Sequence, residues 1–118
     1  GSRHFDNYPL MERVLDKLFS QTNEEIEIIS GCQVTRKPNG EKCGADYFGE
    51  SYAETRGYPV KHFPADWSQG KKAGRIRNEE MAKYATHCVV FWNGETQGSG
   101  SWIISKPYIS QHKLTYSF

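Results

Sequence analysis

Apolar positions near the start of the chain recur at helical spacing. In "FDNYPLMERVLDKLFS" the stripe Leu10, Val14 and Leu18, flanked by Met11, Leu15 and Phe19, predicts an amphipathic helix. Asp6 or Asn7 is placed to cap it, and Pro9 falls in its first turn. "EIEIIS", Glu25 to Ser30, is short and β-branched and ends at Gly31, which predicts a strand. "GADYFGESYAETRG" predicts a second helix, with Asp46 near its start and Gly57 as its stop. "YPVKHFP" returns as a strand closed by Pro64. "AGRIRNEEMAKYA" predicts a third helix with Ile76, Met81 and Ala85 facing inward. "HCVVFW" is apolar without alternation, as expected of a strand covered on both faces. A helical turn is expected from about Ser99, limited or kinked by Pro107, and "KLTYSF" reads as a closing strand. The polar stretch "QVTRKPNGEKC", Gln33 to Cys43, carries Pro-Asn-Gly and should be an exposed excursion between strand and helix.

Helix and strand alternate throughout, which predicts a mainly parallel sheet with helices on both faces. No repeat or low-complexity segment divides the chain, so residues 1–118 form one domain. The opening "GSRHFDNYP" runs straight into loop and helix, where an alternating fold expects a preceding strand. Gly1-Ser2 is then either a cloning remnant or the turn after a first strand that this chain lacks.

Hydrophobic residues at 36% and aromatics at 14% support a modest core and argue against disorder. A formal charge of +1 gives no broad electrostatic footprint for nucleic acid or an anionic membrane, so any anion site is local. The longest apolar run is far short of the ~20 residues of a membrane helix. There is no basic-then-apolar leader, and a cytoplasmic location is expected. Cys32, Cys43 and Cys88 are odd in number and contain no CxxC pair, which suits thiols in a reducing compartment. Cys32 and Cys43 joined with a histidine around zinc is the weaker alternative; the expectation is no metal and no cofactor.

In open α/β sheets, ligands bind beyond the carboxyl ends of the strands. The unusual loops fall on that edge: Ser30-Gly31, "PADW" from Pro64 to Trp67, and "NGETQGS" from Asn93 to Ser99. In the last, Gly94 and Gly98 let consecutive N–H groups point to one centre. Ser99 opens a helix whose first N–H groups favour negative charge, and Thr96 and Ser99 add hydroxyls. The pattern suits a phosphate, and it also suits an ordinary strand–helix turn. Arg77, read as following a glycine hinge at Gly74, can clamp a phosphate or carboxylate, or pair with Glu79 or Glu80 on the surface. Asn78 is a ligand donor or a surface residue. Asp46 caps its own helix or meets a ribose hydroxyl. Trp67 and Trp92 stack on a base or pack.

Taken in order, "GSRHFDNY", "SG" with "GADYFGESYAETRGYPVKHFPADW", "GKKAGRIRNEEMAKYA" and "FWNGETQGS" resemble the YspA-like branch of the SLOG superfamily. The likeness runs from Gly1 to about Ile103. That superfamily of Rossmann-like nucleotide-binding domains includes the "lonely guy" enzymes, related to the lysine decarboxylase-like proteins, and the DNA-processing protein A domain. The resemblance implies a three-layer α/β/α fold, and it implies that Gly1-Ser2 belong to the protein after an absent strand. It implies a nucleotide-derived ligand held by Gly1, Ser2 and Arg3 on one wall and Arg77 and Asn78 on another. Gly94, Thr96, Gly98 and Ser99 would cradle the phosphate, with Gly31 and Asp46 nearby. The insertion from Arg36 to Cys43 departs from the compact pattern of the family.

The phosphoribohydrolase relatives carry R-K-x-x-M and P-G-G-x-G-T-x-x-E. Arg77 and Met81 match the first in spacing. In the second, Trp102 stands where the acidic residue belongs, and no Asp or Glu follows Glu95. Cleavage of an N-glycosidic bond needs a carboxylate to stabilise the cationic sugar or activate water, and no catalytic residue is assigned. The expected function is therefore binding, as a sensor, of a nucleotide or nucleotide-derived small molecule. The alternative is a nucleotide N-glycosidase acting on nucleoside monophosphates or ADP-ribose-type compounds. Single-stranded DNA binding would require a basic groove that this charge does not supply. Relatives suggest self-association.

Overall fold

A computed structural model describes residues 4–91 and 114–117. Helix α1 spans Tyr8–Phe19; its N-cap is Asn7, whose Oδ1 accepts from the Leu10 N–H at 3.1 Å. The side chains turned fully inward are Met11, Val14 and Leu15, while Leu10, Leu18 and Phe19 pack at the margin. The buried stripe is thus rotated by about one residue from the one the spacing predicts.

Strand β1 is Ile28–Ser30. The polar excursion after it is more ordered than expected. Thr35–Arg36 (β2) and Lys42–Cys43 (β3) pair antiparallel, with Thr35 opposite Cys43. Pro38, Asn39 and Gly40 form the tip: the Gly40 N–H donates to the Lys37 carbonyl at 2.8 Å, and Gly40 has φ +88. Pro-Asn-Gly is turn chemistry, and two short polar runs on either side give the turn flanks to join. Lys37 fastens this hairpin to the segment before α1 through Asp6, at 3.0 Å.

Helix α2, Ala45–Arg56, ends as its sequence predicts. Gly57 adopts the left-handed conformation (φ 76) and the Tyr58 N–H returns to the Ala53 carbonyl at 2.9 Å. β4, Val60–His62, then pairs parallel to β1, with Ile28 opposite Val60 and Ser30 opposite His62. A 3-10 segment, Trp67–Lys72, leads into α3, Ala73–Tyr84. The hinge between them is Gly70 (φ 80, ψ −154), not Gly74, which lies inside the first turn of α3. β5, His87–Val90, pairs parallel with β6, Leu114–Ser117, His87 lying opposite Leu114. The architecture is a mixed α/β domain whose described sheets are two parallel pairs and the hairpin.

Two clusters hold these elements. Phe5, Met11, Val14, Leu15, Tyr52 and Phe91 form the larger; Ala82, Ala85 and Cys88, with Ile29 and Met81 against them, form the smaller. Alternation along β1 sends its side chains to opposite faces. Ile28 faces Gly49 of α2, whereas Ile29 packs against the α3 cluster, so β1 has a helix on each face. α1 and α2 are clasped at the surface. Asp16 accepts from Tyr52 Oη at 2.6 Å and from Arg56 Nε and Nη2 at 3.0 and 2.8 Å, while Glu12 lies 3.3 Å from Arg56. Among the described residues, no helix is long and apolar enough to cross a membrane.

Candidate functional site

The carboxyl ends of β1 and β4 lie side by side, and the chain leaving β1 turns sharply there. Ser30 is buried and its Oγ accepts from the Cys32 N–H at 3.0 Å. Cys32 has φ 62, in the left-handed region that residues with a Cβ seldom occupy. Between them sits Gly31, buried and without a side chain.

Two charged groups occupy the space a side chain at Gly31 would take. A Cβ built there would stand 2.8 Å from Arg77 Nη1 and 3.0 Å from Asp46 Oδ2. Arg77 comes from α3, and its Nη1 donates to the Gly31 carbonyl while its Nε donates to Asn78 Oδ1 at 2.9 Å. Asp46 comes from the first turn of α2 but does not cap that helix. Gly44 is the N-cap, and Asp46 Oδ2 reaches across to accept from the Gln33 N–H at 3.1 Å. Neither surface pairing of Arg77 with Glu79 or Glu80 nor self-capping by Asp46 describes these side chains. Gly31, Asp46, Arg77 and Asn78 therefore come together from three elements.

Both charged groups keep hydrogen-bonding capacity. Among the described residues two of the five guanidinium N–H groups of Arg77 are engaged, and one Asp46 oxygen accepts. Arg77 also borders a small open depression with Pro64, Asp66, Ala73, Ile76 and Glu80. A guanidinium offers a fork to an oxyanion, and a carboxylate beside it accepts hydroxyl protons. Trp67 is exposed on the segment before α3. Gly1, Ser2, Arg3, Gly94, Thr96, Gly98 and Ser99, together with Trp92 and Trp102, lie outside the described residues.

A second cluster on the same edge escaped the sequence reading. Cys32, Glu50 and His62 each present one donor atom, all within 4.8 Å of one another, and His62 Nε2 lies 2.8 Å from Glu50 Oε1. Cys32 leaves β1, His62 ends β4, and Glu50 lies one helical turn after Asp46 on α2. Burial, and then the carboxylates of Glu50 and Asp46, raise the Cys32 thiol above its ordinary pKa. No short spacing motif joins these three residues. The available signal was positional: parallel strands ending in Ser30 and His62, and two acids at i and i+4 on the intervening helix. Cys43, the partner weighed for Cys32, lies instead in β3 of the hairpin.

No protein-family model, curated protein or solved structure matches this chain.

Proposed function

We propose that this domain binds a nucleotide or nucleotide-derived small molecule at the carboxyl edge of β1 and β4, with Arg77 meeting phosphate and Asp46 a sugar hydroxyl. The observation that carries the reading is the approach of Arg77 and Asp46 to within 2.8 and 3.0 Å of the side-chain position that Gly31 leaves open. A ligand carrying both an anion and neighbouring hydroxyls satisfies a guanidinium and a carboxylate together; a bare anion would be repelled by Asp46. The resemblance to SLOG domains joins this edge to the Gly94, Thr96, Gly98 and Ser99 cradle and to Gly1, Ser2 and Arg3. A Rossmann-like three-layer arrangement belongs to the same reading, supported by the helix on either face of β1. Three thiols suit a reducing compartment, which is the basis for a cytoplasmic setting.

The test mixes the purified chain with adenosine, nucleoside monophosphates and ADP-ribose, following thermal shift and, by chromatography, release of free base. Saturable stabilisation by intact phosphate-bearing compounds supports binding. Released base would replace the sensor with a glycosidase, and no stabilisation at millimolar concentrations would end the proposal. Arg77→Ala should weaken phosphate-bearing ligands by about 1.5–3 kcal/mol while changing adenosine little. It should also lower stability by about 1 kcal/mol, because the guanidinium holds a buried carbonyl. Equal weakening of adenosine and its monophosphate would show that Arg77 only shapes the loop.

A further inference from the structure

We infer that Cys32, Glu50 and His62 form a binding site for a divalent transition-metal ion of the zinc type. A thiolate, an imidazole and a carboxylate are the three side chains that bind zinc, whereas magnesium and calcium select oxygen ligands throughout. The spacing is near what coordination requires, the His62–Glu50 pair at 2.8 Å having to open by about half an ångström. Tetrahedral bonds of about 2.0–2.3 Å put ligand atoms roughly 3.3–3.8 Å apart, and the three donors already lie within 4.8 Å of one another.

The fold fixes two of the three backbones. Cys32 is held by the Ser30 hydroxyl and its left-handed turn, and His62 by its strand register opposite Ser30. Glu50 rides on α2 and already contacts the His62 ring at 2.8 Å. With the His62 side chain 57% exposed, an ion has a path from solvent, and rotation of that ring can complete the coordination. Three protein ligands leave a fourth position open, as in exchangeable or catalytic zinc sites. Cys32 adjoins Gly31, so the three donors lie next to the group that Arg77 and Asp46 form. The inference does not depend on the nucleotide reading, since every donor lies outside the Gly31, Asp46, Arg77 and Asn78 group.

Titration of the chelator-stripped full chain with Co²⁺ tests the site. One equivalent should produce tetrahedral visible bands with a thiolate-to-cobalt charge-transfer band, and Zn²⁺ should displace it. Cys32→Ser should abolish the charge-transfer band, and Cys88→Ser should keep it. His62→Gln, at a largely exposed position where the fold is not at stake, should weaken binding about tenfold or more. Zn²⁺ should also slow alkylation of Cys32 in the native chain, read by mass spectrometry. Absence of the band in folded protein at saturating Co²⁺, or its persistence in Cys32→Ser, would overturn the assignment. So would an unchanged affinity in His62→Gln, which would remove the imidazole from the ligand set.

Discussion

At the scale of single residues, the candidate site turns on a missing side chain. Gly31 needs no left-handed backbone; it is required because Arg77 and Asp46 stand where a Cβ would go. Those neighbours are the far ends of flexible side chains, so an added methyl displaces them without breaking the backbone. Gly31→Ala should therefore cost only about 1 kcal/mol of stability in chemical denaturation. Its effect on ligand affinity should exceed that loss, because both polar groups are pushed from their places. A folded variant that loses several kcal/mol of stability yet binds with unchanged affinity would reverse this assignment. Cys32 presents the opposite case: it keeps a thiol in a conformation that glycine adopts at lower cost.

At the scale of elements, the clasp between α1 and α2 makes a pH prediction. Hydrogen bonds from Arg56 and then from Tyr52 hold the Asp16 carboxyl below the ordinary carboxylate range. A group depressed in the folded state contributes fully above its unfolded pKa of about 3.9 and loses that contribution as pH falls through the folded value. Asp16→Asn should thus lower the melting temperature at neutral pH and flatten its decline below about pH 4. Parallel acid limbs for the two proteins would show that the clasp carries no linkage. The helices themselves were legible in sequence because each depends on local chemistry: Asn7 as cap, Gly57 as left-handed stop, Leu and Val at helical spacing. The hairpin was not, since two-residue strands of Thr-Arg and Lys-Cys carry no period. The sequence places the hinge at Gly74, but the break falls at Gly70, and the Trp67 ring lies beside Gly74 in the first turn of α3.

At the scale of the whole molecule, the pieces of the site come from segments far apart in the chain. Gly31, Asp46 and Arg77 each could be singled out by type and position, yet their meeting at one point required the parallel pairing of β1 with β4 and the packing of α3 against Ile29. Glu50 and His62 were invisible to the sequence reading because only that same pairing aligns them with Cys32. The smaller core cluster can be followed through Cys88, whose burial pushes its thiol up to about 11. Alkylation in native buffer, resolved by peptide mass spectrometry, should reach the partly exposed Cys32 first and Cys88 only at the rate of global opening. Labelling of Cys88 as fast as a free thiol would mean that α3 detaches from the sheet on its own. One further consequence comes from the break at Gly70. It leaves Lys71 and Lys72 on an exposed stretch immediately ahead of the helix that carries Arg77. Trypsin should nick the native chain there, separating the guanidinium's helix from the strand it serves. A small molecule bridging the two would fasten that helix, so the rate of cutting becomes a reporter of occupancy that needs neither label nor mutation.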